Sequence, residues 1–223
     1  VHLLFTAPGR VALKASLPSV ANGAHDAELR RWAAEVAAWG GEVDLTILEH
    51  VDRDWVVTSA VANSGIPADS ARAWEHVRAV FRSGHADRVS WVWAPADPGA
   101  DTAYAPPPGT YDAVLLGLIE YPGAAWQDPA TELARTRQSH PDAKIIVETS
   151  IAGPDAERTA WLQRLGETIG ARGDVTSLVY LEGGPAPVAS ASERAAWSLS
   201  DQPDLAKAFQ DSVHLAHLDG GSR

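Results

Sequence analysis

Apolar residues along the chain alternate between two kinds of spacing, and that alternation predicts an α/β order. Aliphatic runs of strand length fall at Val1–Phe5, Val11–Leu17, Val43–Leu48, Val89–Trp93, Ala113–Ile119, Lys144–Val147 and Val175–Leu181. Between most of them the apolar positions recur at helical spacing. Asp26–Trp39 places Leu29, Trp32, Ala33, Val36 and Trp39 on one face and stops at Gly40-Gly41. The stretch opening at Ile66-Pro67-Ala68-Asp69 buries Ala73, Trp74, Val77, Val80 and Phe81. Pro129–Gln138, Asp155–Ile169 and Pro203–Ser212 supply the remaining helices, and Ala94–Thr110 is the longest irregular stretch. Strands separated by helices in this way predict a parallel sheet.

Two parallel architectures compete. An open dinucleotide fold carries a glycine fingerprint in its first strand-to-helix turn, and Ala7-Pro8-Gly9-Arg10 is not one. No phosphate-cradling Gly-x-x-x-x-Gly-Lys loop occurs either. Instead, polar and aromatic residues mark the carboxyl ends of the strands: Glu49-His50, Trp93, Glu120-Tyr121, Glu148 and Glu182. A (β/α)8 TIM-type barrel gathers its chemistry at that end. The expectation is therefore a single barrel domain over residues 1–218, followed by a disordered tail at 219–223. The first two strand runs have no helix between them, so the barrel is expected to be truncated or incomplete at its N-terminus.

Composition removes several function classes. The 223 residues include no Cys, which excludes disulfides, thiolate metal sites and a cysteine nucleophile. Asp+Glu 29 against Lys+Arg 18 gives a net charge of -11, which argues against a nucleic-acid partner. The apolar runs are too short for a membrane span. The eight His are scattered, without paired metal-ligand spacing, so neither metal nor cofactor is expected. No Gly-x-Ser-x-Gly elbow occurs. The chain has no Met and opens on Val1, as a processed product would; a removed signal peptide makes an extracellular, secreted monomer the expectation.

The strand-end acids suggest chemistry. Glu148 directly follows an apolar strand, and Glu49 or His50 ends another. Two carboxylates across a cleft are the minimum equipment of a glycosidase: one protonates the leaving oxygen, and the other attacks the anomeric carbon or activates water. Trp32, Trp39, Trp74 and Trp161 lie on helical stripes and are expected in the core. Trp55, Trp91, Trp93, Trp126 and Trp197 lie at strand ends or in loops, where an indole face suits a sugar ring. Trp93 and Trp126 are the best placed of these.

In order along the chain, several stretches carry a family resemblance. They are Arg30–Leu45, Ala73–Phe81 with Val89-Ser-Trp-Val-Trp-Ala-Pro95, Pro108–Tyr121, Val147-Glu-Thr-Ser150 with Ala160-Trp161, and Ala196-Trp-Ser-Leu-Ser200 with Leu205–Phe209. Together they resemble glycoside hydrolase family 26, clan A barrels best known as endo-β-1,4-mannanases. The resemblance implies a retaining β-glycoside hydrolase acting on a mannan-like polysaccharide or oligosaccharide. It puts Glu148 at the nucleophile, Tyr121 at a tyrosine that hydrogen-bonds it, and Trp93 at a sugar-lining aromatic. Trp126, Trp55 and Glu120 join the expected substrate contacts. The chain departs from the family at the acid/base. With Trp55 fixing the register, the family's His-Glu order reads Glu49-His50, and the family's arginine on that strand is Thr46. A histidine acid, a one-residue shift that presents Glu49, and a catalytically inactive glycan-binding barrel all remain open.

Overall fold

In the computed structural model of the chain, the described residues are 2–4, 16–52, 66–100, 103–182, 184 and 195–218. They belong to two compact units, Val1–Val114 and Leu115–Arg223.

The first unit contains β1 (His2–Leu4), α1 (Leu17–Ala21), α2 (Asp26–Trp39), β2 (Val43–Thr46), α3 (Pro67–Ser83), β3 (Val89–Trp93) and the opening of β4 (Ala113–Glu120). Its strands pair in parallel, with Leu3 opposite Leu45, Leu45 opposite Trp91, and Trp93 opposite Val114. Local chemistry explains the helix ends. Gly40 stops α2 in the left-handed region at φ 67°, a conformation that glycine adopts without steric cost. At the start of α3, the Asp69 carboxylate accepts the Ile66 N–H at 3.1 Å, and Pro67 sits where no helical N–H is needed. The apolar stripe of α3 closes on β3 through aromatic rings. Trp74 meets Trp91 and Trp93 edge-on at 6.1 and 6.2 Å, and Phe81 meets Trp91 at 5.5 Å. Edge-to-face contacts of this kind add to the area that the rings bury.

The second unit contains the rest of β4, α4 (Pro129–Ser139), β5 (Lys144–Ile151), α5 (Asp155–Gly170), β6 (Val175–Tyr180) and α6 (Pro203–Leu215). β5 and β6 are parallel, with Glu148 opposite Val179 and one register shift between Ile145 and Ile146. Asp128 caps α4 by accepting the Thr131 N–H at 3.0 Å. One face of β5, Ile145, Val147, Thr149 and Ile151, is wholly buried, as are Leu133 of α4 and Trp161, Leu162, Leu165 and Ile169 of α5. Two glycines let α5 and α6 approach closely. A Cβ on Gly166 would lie 2.6 Å from the Ser212 carbonyl oxygen, and one on Gly170 would lie 2.0 Å from that of Leu215.

The strand order follows the chain: β1-β2-β3 and the start of β4 in the first unit, β4-β5-β6 in the second. The α/β class and the parallel pairing agree with the hydrophobic pattern. The complete (β/α)8 barrel does not, because the described residues give six strands and a closed barrel of this type needs eight. The expected strand at Val11–Leu17 is described only at its end. Of Val11–Leu17, residues 11–15 lie outside the described residues, and Leu17 begins α1. Ser16 caps that helix, its side chain accepting the Ser19 N–H at 3.3 Å, and Pro18 fits the first turn. Trp39, expected in the core, is 66% exposed at the end of α2, with its indole against Gly41. Among the described residues, no helix is long and apolar enough to cross a membrane.

Candidate functional site

The expected site residues fall in both units. Glu49, His50 and Trp93 belong to the first; Glu120, Tyr121, Trp126 and Glu148 belong to the second. Trp55 lies outside the described residues.

In the first unit, Glu49 and His50 occupy the tight turn after β2. Leu48 and His50 both take positive φ, 58° and 49°, which is uncommon for side-chain-bearing residues and marked for a leucine. The turn is fixed by backbone hydrogen bonds: the His50 N–H donates to the Ala94 carbonyl at 2.8 Å, and the Val51 N–H donates to that of Leu48 at 3.2 Å. Asp52 accepts the Ala96 N–H at 3.2 Å, tying the same turn to the end of β3. Glu49 and His50 are half-buried. Trp93 is 1% exposed, so its ring is a core ring in this structure, packed on Trp74 instead of facing solvent. Its buried indole N–H has no hydrogen-bond partner among the described residues.

In the second unit the strand ends sort the candidates by face. Successive side chains on a strand point to opposite sides. The Ala152 N–H bonds to the Glu120 carbonyl at 3.0 Å, which aligns Glu120 with Ile151 across the parallel pair. Glu120, Leu118, Thr149 and Ile151 then share the buried face, while Gly117, Ile119 and Tyr121 share the other face with Glu148 and Ser150. Exposure follows the same division for all of these except Ser150, which is wholly buried. Glu120, Leu118, Thr149 and Ile151 are buried, whereas Gly117 is exposed, Ile119 and Glu148 are half-buried, and Tyr121 is 50% exposed. A Cβ on Gly117 would meet nothing within 4 Å, so the surface beside Glu148 is open. Glu148 sits within β5, because the strand continues past the expected Val147 to Ile151.

Glu120 is thereby assigned different work from Tyr121. Both of its carboxylate oxygens lie 3.1 Å from the Gln127 N–H, so it anchors the loop that carries Trp126. Burial pushes its pKa up; the Gln127 N–H opposes this, and nearby Glu132 adds to the rise. Trp126 is half-buried: its indole N–H donates to the Tyr121 carbonyl at 3.1 Å, and its ring lies over Gly153.

Two residues beside this cluster are not among the contacts that the sequence predicts. Trp197 meets the Tyr121 ring edge-on at 5.2 Å. Glu182, just past β6, accepts hydrogen bonds from the Ser198 and Ser200 hydroxyls and from the Leu199 and Ser200 N–H groups. Glu182 carried the same sequence signal as Glu148, an acid at a strand end. Its partners, about sixteen residues further on, carried no signal linking them to it.

Glu148, Tyr121 and Trp126 thus give the second unit one carboxylate on the sheet face that Gly117 leaves open and two aromatic side chains in reach of solvent, with the buried Trp197 backing Tyr121. Chemically, that set can hold a sugar ring against aromatic surface and present an oxygen nucleophile. Among the described residues no group of three or more His, Asp or Glu is arranged to hold a metal ion. No protein-family model and no curated protein matches this sequence.

Proposed function

We propose that the protein acts on a β-linked polysaccharide, mannan-like in class, as a retaining glycoside hydrolase. The observation that carries this reading is the placement of Glu148: on the open face of its sheet, beside Gly117, and on the same face as the exposed Tyr121. In a double displacement the Glu148 carboxylate would attack the anomeric carbon while a general acid protonates the departing oxygen. Water would then cleave the glycosyl ester, giving up its proton to the same acid/base group. The resemblance alone assigns that group, to Glu49 or His50. The strained Leu48–His50 turn fits a functional role, since unfavourable φ values persist where a site requires them. Secretion follows from the same reading, because such polymers lie outside cells.

A second reading, glycan binding without hydrolysis, is favoured by the six strands found among the described residues and by the reversed Glu49-His50 order. One set of measurements separates the two. Mannans, glucans and xylans are incubated with the parent protein and with Glu148→Gln, and new reducing ends are counted. The hydrolase reading expects turnover that falls by at least about 10^3-fold in the variant, with binding kept. Turnover by Glu148→Gln within tenfold of the parent would sink the nucleophile assignment. Binding by both proteins with hydrolysis by neither would establish the second reading.

A further inference from the structure

The segment Trp197–Ser200 is fastened to the end of β6 with more bonds than a surface loop requires. Glu182 is exposed and could be satisfied by water, yet four donors converge on it. The Ser198 hydroxyl lies at 2.5 Å, the Ser200 hydroxyl at 2.8 Å, the Leu199 N–H at 3.0 Å and the Ser200 N–H at 3.2 Å. Two neighbours hold the other side of the segment. The Tyr180 hydroxyl donates to the Trp197 carbonyl at 2.8 Å, and the buried Arg158 guanidinium donates to that of Ser198 at 3.1 Å.

The result is a fixed indole. Trp197 is 6% exposed and lies so close over Gly184 that a Cβ there would be 2.6 Å from its ring. Gly184 also needs glycine for its φ of 80°. The far edge of the arrangement is Tyr121, whose half-exposed ring stands at 83° to the indole. Tyr121 is held from its backbone by the Trp126 indole N–H, but among the contacts described its ring meets Trp197.

We propose that Glu182 is a positioning residue: by locking Trp197–Ser200 onto the end of β6, it holds the Trp197 indole against Tyr121 and fixes the orientation of that exposed ring. For the role of the ring in binding sugar, this rests on the glycan reading above; the mechanical part does not. The carboxylate suits the task. Partial burial pushes its pKa up, but the Ser198 hydroxyl and the Leu199 and Ser200 donors outweigh that and hold it at about 2. It therefore stays ionised, and its four bonds stay charge-assisted, throughout the neutral and mildly acidic range.

The experiment uses the full chain with isotope-labelled tyrosine, of which there are four. The Tyr121 ring signal is assigned by its loss in Tyr121→Phe. Trp197→Leu removes the indole and gives the shift of an unbuttressed ring. Glu182→Gln is expected to move the Tyr121 signal most of the way to that position while the other tyrosine signals report an intact fold. Glu182→Asp, which keeps the charge, should move it less. An unmoved Tyr121 signal in Glu182→Gln, or in Trp197→Leu, would overturn the proposal. A parallel titration with a β-linked oligosaccharide expects binding of Glu182→Gln to be roughly threefold to tenfold weaker than that of the parent. If the parent binds no glycan, the proposed function fails and the tyrosine signals still decide the positioning role.

Discussion

At the residue scale, Glu120 and Glu148, two acids on neighbouring strands of the second unit, behave in opposite ways, and the reason is the side of the strand each occupies. Glu148 faces the open side; Glu120 faces the packed side, where burial raises its pKa. A carboxyl whose folded pKa exceeds its unfolded value of about 4.3 favours the fold while protonated. That contribution is present below the unfolded pKa and is lost as pH rises through the folded one. Glu120→Gln has no charge to bury and keeps an oxygen for the Gln127 N–H. It is expected to be at least as stable as the parent at pH 7 and to lose that advantage near pH 4, measured by urea titration at both values. Greater destabilisation at pH 7 than at pH 4 would show that the ionised carboxylate is the stabilising form. The Glu120-Tyr121 dipeptide was readable as a site candidate, but strand alternation admits only one of two neighbours to a given face. Tyr121 took the open one.

At the scale of elements, the contact between α5 and α6 depends on two small residues spaced one helical turn apart. Gly166 and Gly170 admit the backbone of α6 where any side chain would collide with it. Gly166→Ala and Gly170→Ala are expected to cost about 1–3 kcal/mol each, the range for overpacking, with Gly170 the more severe. Gly173→Ala is the control: its added Cβ meets nothing within 4 Å, so its denaturation midpoint should be unchanged or slightly higher. Equal effects at all three sites in chemical denaturation would refute the close-packing account. Helix positions were largely legible in the sequence because caps and apolar stripes are local. Trp161, on the apolar stripe of α5, is fully buried, whereas Trp39, on the stripe of α2, is exposed. Periodicity gives a direction around the helix axis; it does not say whether another element reaches that point, and at the end of α2 none covers the indole.

At the scale of the whole molecule, the acidic balance and the depressed carboxylates set the acid limit of stability. Asp174 is held at about 2 by the Arg172 side chain, with Arg137 adding to the effect against the cost of burial. Its folded pKa lies below its unfolded value, so its contribution is present above about pH 4 and is lost as pH falls toward 2. For Asp174 the difference from the ordinary 3.8 corresponds to about 2 kcal/mol. Glu182 behaves in the same direction. The protein is therefore expected to lose stability between pH 4 and pH 2, and Asp174→Asn to show a shallower loss across that window in thermal unfolding. A variant with the parent's full pH slope would place the acid sensitivity elsewhere.

The sequence by itself determined what depends on neighbours in the chain: the alternation of strands and helices, the parallel class, most helix stripes, the strand-end acids and the aromatic-rich loops. Periodicity, caps and turn residues act over a few positions and can be read there. Tertiary structure decided what depends on residues distant in sequence. Among the described residues it set the strand count at six, and it turned Leu17 into the start of a helix. It enclosed Trp93 in the core, and it brought Ser198 and Ser200 to Glu182 and Trp197 to Tyr121. A strand run shows that a segment can pair but not how many segments will do so. A strand-end acid shows that a charge is available; only the packed chain decides whether that charge faces open surface, as at Glu148, or fastens a loop, as at Glu120 and Glu182.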